Sequence, residues 1–254
     1  MQALSSTASI TEADLVLLLV KSQATRAAVQ DVAHLMSDTC PLLCLQTGLG
    51  NLEVAREFVH ESHILLGITY MSGIALSDAR VRKGSLAKTY IGELDGTFSS
   101  RLETISLLFN RCGLETEMVP DILSRLWSKV IIYAAVNPIS AILQVPNGSL
   151  VSRTESITLM KRLLDEGMAV AKAQGVVLGD PDLYEVLFET CEKNANNLSS
   201  MLQDILNEAS TEIDAQNGAI CHYAEEHGIS VPTHRTMVEL IKLLECWKPG
   251  LGQS

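Results

Sequence analysis

Three short apolar runs punctuate the first part of the chain, at residues 15–20, 42–45 and 64–69. Runs of this length are typical of strands buried on both faces of a parallel sheet. Helical patterns follow the first two runs, and another covers residues 98–112 and ends at Gly113. Residues 86–91 alternate apolar and polar positions instead, as an outer or antiparallel strand does. This alternation of strands and helices predicts an α/β layer with a parallel sheet.

From residue 120 onward the pattern is helical throughout. Helices are predicted at residues 121–136, 153–174, 182–193, 198–207, 211–227 and 233–246. Glycine and proline residues separate these segments, as expected between helices. The sequence therefore predicts an α/β domain over residues 1–119 followed by an all-α domain over residues 120–254.

A lone lysine interrupts the apolar helix at residues 121–136. At about 100° per residue, Lys129, Tyr133 and Asn137 fall within ~80° of one another on one helix face. Because burial disfavours a charged lysine, we expect Lys129 to border a polar cleft, ready to give or take a proton. Two alternatives stay open: Lys129 extends its ammonium to water from a core helix, and Asn137 caps a second helical segment that begins at Pro138.

Polar residues also concentrate at residues 194–204 and 211–218. One interpretation is a binding site. The other is ordinary helix capping, because serine and asparagine open helices and a threonine-glutamate pair suits a first turn.

Composition narrows the class of protein. The chain has 254 residues, is 47% hydrophobic and carries a formal net charge of −11, which argues against nucleic-acid and anionic-membrane partners. Six cysteines without a C-x-x-C pair, and no secretory signal pattern, predict a cytoplasmic protein with reduced thiols. Only His60 and His63 are closely spaced, so no metal site is predicted. Small-molecule chemistry is favoured, and a homo-oligomer stays open.

Four strings carry a family resemblance: Q-T-G-L-G-N at 46–51, K-V-I-I-Y-A-A-V-N-P-I-S-A-I-L-Q-V-P-N at 129–147, N-N-L-S-S-M-L-Q-D at 196–204 and T-E-I-D-A-Q-N-G at 211–218. In this order and spacing, over residues 12–246, the chain resembles ketopantoate reductase (2-dehydropantoate 2-reductase). The resemblance implies a Rossmann-like dinucleotide-binding domain, here partial, a helical substrate and catalytic domain, and an active site in the cleft between them. It also implies NADPH-dependent reduction of 2-dehydropantoate to pantoate in pantothenate biosynthesis.

The resemblance assigns roles to individual residues. Lys129 is implied to be the catalytic proton donor and to contact the 2-keto acid. Further substrate contacts are implied for Asn137, Asn147, Ser200 and Thr47. Cofactor contacts are implied for Lys21, Thr47, Gly48, Ser72 and Glu212. The choice of NADP over NAD comes from the family alone.

Three departures from the family pattern accompany these assignments. Residues 1–14 hold no G-x-G-x-x-G turn, and Thr47 and Tyr133 stand where the family has asparagines. We therefore expect the strand at residues 15–20 to present an open edge, and residues 1–254 alone to self-associate, bind NADPH weakly and show little activity. The alternatives are a reductase of another 2-keto acid and a truncated, non-catalytic binding or assembly module.

Overall fold

A computed structural model describes residues 3–71, 73–77, 80–84, 87–179 and 182–247. The chain divides into two compact units, Met1–Leu126 and Trp127–Ser254. The domain boundary between residues 119 and 120 stays a prediction.

The first unit contains a five-stranded sheet in the order β1-β2-β3-β6-β7 and a separate β4-β5 hairpin. The strands are β1 Val16–Leu18, β2 Leu42–Cys44, β3 Ile64–Thr69, β4 Gly73–Ser77, β5 Arg80–Lys83, β6 Thr89–Glu93 and β7 Thr116–Met118. The helices of this unit are α1 Thr25–Val32, α2 Asn51–Arg56 and α3 Ser100–Arg111. The three apolar runs of the sequence thus form β1, β2 and β3, as predicted.

The sheet is mixed rather than wholly parallel. Strands β1, β2 and β3 pair in parallel, whereas β6 pairs antiparallel with β3 and parallel with β7. The predicted antiparallel strand is confirmed as β6, although Leu86 lies outside the described residues. Of the two alternatives given for this strand, antiparallel pairing is the one observed. The strand is not an outer one, because β7, which the sequence did not reveal, pairs with its other edge.

One hydrophobic core cluster of this unit lies between the sheet and α3. Leu43, Leu65 and Ile91 from three neighbouring strands pack with Leu102 and Phe109 of the helix. Burying side chains of this size is the main source of stability for such a layer.

At the opposite end of the sheet, β1 pairs with β2 alone among the described strands. The side chains of Leu17 and Leu19 are 42% and 62% exposed there. The expected open edge at residues 15–20 is therefore present in the described part of the chain.

The second unit is helical throughout its described residues. It holds most of α4 Ile122–Leu143, together with α5 Asn147–Leu150, α6 Thr154–Ala173, α7 Leu183–Lys193, α8 Ser200–Leu206, α9 Ala219–Glu226 and α10 Pro232–Cys246. A π-helical turn, Asp214–Gly218, precedes α9. The prediction of a single α-helix over residues 211–227 is therefore wrong at its first turns.

Helix α4 continues through Pro138. The hypothesis that Asn137 caps a second helical segment is wrong. Proline has no N–H, so the carbonyl of Ala134, four residues earlier, loses its helical donor. The side-chain Nδ2 of Asn217 donates to that carbonyl at 2.9 Å. A buried backbone acceptor is thereby satisfied, and the helix continues without a break.

Asn217 is itself held in place. It is 0% exposed, and its Nδ2 lies 3.0 Å from Nδ1 of His234, whose Nε2 lies 3.0 Å from the carbonyl of Leu163. Because the Asn217 amide donates, the histidine accepts at Nδ1 and donates at Nε2, which fixes the neutral tautomer. Burial lowers the pKa of His234 accordingly.

Helix α4 is long and apolar enough to span a membrane by length and composition, yet 83% of its most apolar window is buried inside the protein. That burial is what a core helix shows. Among the helices of the described residues, α4 is the one that is long and apolar enough to span a membrane.

Candidate active site

The central residue of the candidate site is Lys129, on α4. Lys129 is 5% exposed. The alternative that its ammonium extends into bulk water is therefore wrong. Burial lowers the pKa of Lys129 to about 8, and the negative charge of Glu212 acts in the opposite direction. A lysine with this pKa exchanges protons readily near neutral pH.

Tyr133 lies one turn after the lysine. The Lys129 Nζ is 5.6 Å from the centre of the Tyr133 ring, within the range of a cation–π interaction. Burial raises the pKa of Tyr133, with the nearby Cys191 as a smaller cause. Tyr133 therefore keeps its hydroxyl proton and presents a neutral group beside the ammonium.

Asn137 lies one further turn along α4 and is 2% exposed. Its Nδ2 donates to Oε1 of Gln216 at 3.0 Å, and Gln216 is also buried. The structure thus keeps Lys129, Tyr133 and Asn137 on one helix face, as the spacing predicts. Gln216 was missed from the sequence, where residues 211–218 also suited a capping role.

Glu212 precedes the π-helical turn and is half-buried. Its neighbour Thr211 performs the local capping, since its Oγ1 accepts from the backbone N–H of Ile213 at 3.3 Å. Capping therefore does not require Glu212. The negative charge of the Glu212 carboxylate raises the pKa of Lys129, against the effect of burial.

Asn147 begins α5, and its backbone N–H donates to the carbonyl of Asn197 at 3.0 Å. Its side-chain Oδ1 is buried and has no hydrogen-bond partner within the described residues. A buried acceptor without a partner is costly, so the site favours a ligand or water that donates to it.

Ser200 is the first residue of α8 and is exposed. The capping role belongs to the preceding residue, Ser199, whose Oγ accepts from the backbone N–H of Leu202 at 3.1 Å. The capping interpretation thus explains Ser199 and leaves the Ser200 hydroxyl for another use.

The remaining candidates lie in the first unit. Lys21 is exposed beyond β1, and Thr47 and Gly48 follow β2, so these residues come at the carboxyl ends of adjacent parallel strands. Gly48 and Gly50 adopt positive φ angles of 111° and 86°. Ser72 lies outside the described residues.

A buried polar network supports the loop after β2. Gln46 Nε2 donates to the Val20 carbonyl and to Thr25 Oγ1, both at 2.7 Å. Thr25 in turn donates to Asn51 Oδ1 at 2.9 Å, and Asn51 Nδ2 reaches the carbonyl of Thr47 at 3.4 Å. These contacts fix the backbone of the loop relative to β1 and α1.

Both parts of the chain match models of one protein family. Residues 1–96 match the family described as "Ketopantoate reductase PanE/ApbA", and residues 121–245 match "Ketopantoate reductase PanE/ApbA C terminal". A 2-dehydropantoate 2-reductase of Halobacterium salinarum is 31% identical over 93% of this chain and 77% of the relative. The chain belongs to the ketopantoate reductase family. The resemblance predicted from the four strings is thus confirmed.

Other members of the ketopantoate reductase family agree. The 2-dehydropantoate 2-reductase of Pyrococcus horikoshii is 33% identical over 91% of this chain and 76% of its own length. The crystal structure of a PanE/ApbA family ketopantoate reductase from Ralstonia eutropha JMP134 superposes with a TM-score of 0.84. That structure is 29% identical, over 92% of this chain and 76% of the other. The predicted fold class, a Rossmann-like domain followed by a helical domain, is confirmed.

Proposed function

We propose that this member of the ketopantoate reductase family reduces 2-dehydropantoate to pantoate with NADPH, as a cytoplasmic step of pantothenate biosynthesis. The observation that carries the proposal is a buried lysine of lowered pKa, Lys129, on the same helix face as the buried amide of Asn137. Both belong to the string at residues 129–147, one of the four that resemble this family.

Lys129 is the proposed general acid. Addition of a hydride to the carbonyl carbon of a 2-keto acid pushes the carbonyl electron pair onto oxygen as an alkoxide. An ammonium beside that oxygen stabilises the developing charge and transfers a proton to it, leaving a 2-hydroxy acid and a neutral lysine. Water then reprotonates the lysine.

The electrostatic balance around Lys129 suits this role. With a pKa of about 8, the lysine is mostly charged at pH 7 and yet gives up its proton more easily than an exposed lysine. The charge of Glu212 keeps the pKa from falling further. Glu212 thus holds the general acid in its working protonation state, and it is also the proposed contact for the cofactor ribose.

The loops that follow β1 and β2 fit part of a dinucleotide cofactor, which supplies the hydride when bound, whereas residues 1–14 do not supply the G-x-G-x-x-G turn expected for its pyrophosphate. The loop after β2 is fixed by the Gln46–Thr25–Asn51 network, and at Gly50 an added Cβ would meet nothing within 4 Å. Ligands of open α/β sheets bind beyond the carboxyl ends of the strands. There Lys21 would meet a phosphate, and Thr47 and Gly48 would contact the cofactor through their backbone and hydroxyl groups. Ser72 stays a cofactor-binding prediction.

The remaining polar groups would hold the substrate. Asn137, Asn147, Ser200 and Thr47 are neutral, so they orient a hydroxy-keto acid without competing with Lys129 for its negative charge. The buried Oδ1 of Asn147, which has no partner in the described residues, is an acceptor for a water that bridges to the substrate.

The test is the loss of NADPH absorbance when the purified chain is mixed with 2-dehydropantoate. Lys129→Ala should lower kcat by ~10²-fold or more, because general acid catalysis typically contributes that much. Turnover of other 2-keto acids but not of 2-dehydropantoate would reassign the substrate. Nicotinamide fluorescence with no turnover of any 2-keto acid would support a binding module instead.

A further inference from the structure

The proposed reaction gives no task to Gln216, although its side chain meets a substrate-binding candidate. Gln216 is 1% exposed and accepts a hydrogen bond from Asn137 Nδ2 at 3.0 Å. The two residues are 79 positions apart in the chain, so the contact is tertiary and not a local helix bond. In a buried, low-dielectric setting such a bond fixes the orientation of both amides.

We propose that Gln216 is a positioning residue, which engages the donor end of the Asn137 carboxamide and leaves its acceptor end for the ligand, so that the site selects 2-keto acids that carry a hydroxyl group. This inference rests on the proposed function. It concerns which chemical group Asn137 recognises and why.

The two ends of a carboxamide have opposite hydrogen-bonding character. Nδ2 can only donate and Oδ1 can only accept. Gln216 accepts from one of the two N–H groups of Nδ2, which fixes the plane of the Asn137 amide. Oδ1, at the other end of that amide, is the proposed ligand contact, an acceptor that attracts a hydroxyl and repels a ketone or carboxylate oxygen. Lys129 has the opposite character, since an ammonium only donates. The two residues on one helix face therefore divide the substrate: Lys129 takes the oxygens of the keto acid, and Asn137 takes a hydroxyl proton.

The π-helical turn explains why Gln216 can reach Asn137. A π-helical turn carries an extra residue, which brings successive side chains inward at positions that an α-helix would separate. Gln216 bonds to Asn137, and the next residue, Asn217, bonds to the Ala134 carbonyl of the same helix at 2.9 Å. The backbone that carries Gln216 is thus fixed on α4 next to the amide that it orients.

The experiment compares Gln216→Leu with Gln216→Glu. Leucine removes the acceptor at similar volume, whereas a carboxyl group keeps an oxygen that can accept from Asn137. Each variant is assayed with 2-dehydropantoate and with 3,3-dimethyl-2-oxobutanoate, which has the same carbon skeleton without the hydroxyl. Gln174→Leu, the same change at the end of α6, is the matched control, and circular dichroism checks the fold.

In Q216L, the preference for the hydroxylated substrate in kcat/KM should fall by about tenfold, because one oriented hydrogen bond to a substrate hydroxyl is lost. The change should appear mainly as a higher KM for 2-dehydropantoate, and Q216E should retain the wild-type preference. Equal losses for both substrates would reduce Gln216 to a structural residue. If Q216E behaves like Q216L, the amide pair has the opposite polarity and the proposal is wrong.

A wild-type chain that fails to reduce 2-dehydropantoate would refute the proposed function and not this inference. Calorimetry then compares the affinities for pantoate and for 2-hydroxy-3,3-dimethylbutanoate, which tests the role of Gln216 without turnover. A preference for pantoate that weakens about tenfold in Q216L and persists in Q216E supports the positioning role. A preference that is absent or unchanged in Q216L overturns it.

Discussion

Replacing Lys129 by methionine should make the protein more stable while it destroys activity. The pKa of Lys129 falls from 10.5 to about 8 on folding, chiefly because burial disfavours the charge. At about 1.4 kcal/mol per pKa unit, holding the ammonium inside the folded protein at pH 7 costs about 3 kcal/mol. Methionine has a similar length, carries no charge and suits an apolar helix. The half-buried Glu212 loses a partner but can be hydrated, so we expect a net gain of about 2 kcal/mol in K129M.

The pH dependence of the stability difference between K129M and the wild type shows whether the buried ammonium causes it. The folded pKa lies below the unfolded value, so between pH 8 and 10.5 the unfolded chain binds more protons and wild-type stability rises with pH. The advantage of K129M should therefore be constant below pH 8 and shrink as pH rises to 10.5. Urea unfolding of both proteins across this range measures the difference, and groups that titrate in both cancel.

Lys172→Met is the control, since Lys172 is exposed in the last turn of α6. It should change stability by less than about 0.5 kcal/mol at any pH. If K129M is less stable than the wild type at pH 7, or if the difference does not depend on pH, the cost assigned to the buried ammonium is wrong.

Three further outcomes follow from the helical unit. The reductive kcat/KM should fall as pH rises through about 8, where Lys129 loses its proton. Glu212→Gln should move that fall to lower pH, because it removes the charge that raises the pKa of Lys129. A pH–rate profile that is the same in Glu212→Gln would contradict this. Asn217→Leu should lower the free energy of unfolding by about 1–3 kcal/mol, because it leaves the Ala134 carbonyl without a donor. A double-mutant cycle should show a smaller loss when Pro138→Ala restores a backbone N–H. The free energy of unfolding should fall as pH drops below about 6.5, since burial lowers the pKa of His234 and the unfolded chain therefore binds the proton first. Urea titrations should show a weaker dependence on pH in His234→Gln. An unchanged dependence would assign the effect to other groups.

Most of the sheet could be predicted from the sequence because β2 and β3 are buried on both faces and so appear as continuous apolar runs. The run that forms β1 is equally apolar, although Leu17 is exposed. The sequence did not reveal β7, which has three residues, one of them Glu117, and owes its place to pairing with β6. Such a strand has no periodic signal of its own. The position of β6 inside the sheet was missed for the same reason.

The candidate site shows a similar division. The common face of Lys129, Tyr133 and Asn137 follows from helical periodicity, which is local. The path of α4 through Pro138 does not, because the group that makes it tolerable, Asn217, is 83 residues away from the carbonyl it satisfies. Gln216 was hidden for the same reason, since its partner is 79 residues away and its own neighbourhood resembles a helix cap.

The distance along the chain between α4 and the π-helical turn also sets the order in which the protein is made. The carbonyl of Ala134 and the amide of Asn137 leave the ribosome about eighty residues before their partners, Asn217 and Gln216. At about 5–20 residues per second, α4 waits roughly 4 to 16 seconds for them. During that interval the proline gap in the helix has no donor from Asn217, and the Asn137 amide is free to rotate. The face that carries the chemistry is therefore among the last parts of the helical unit to gain a fixed geometry during synthesis.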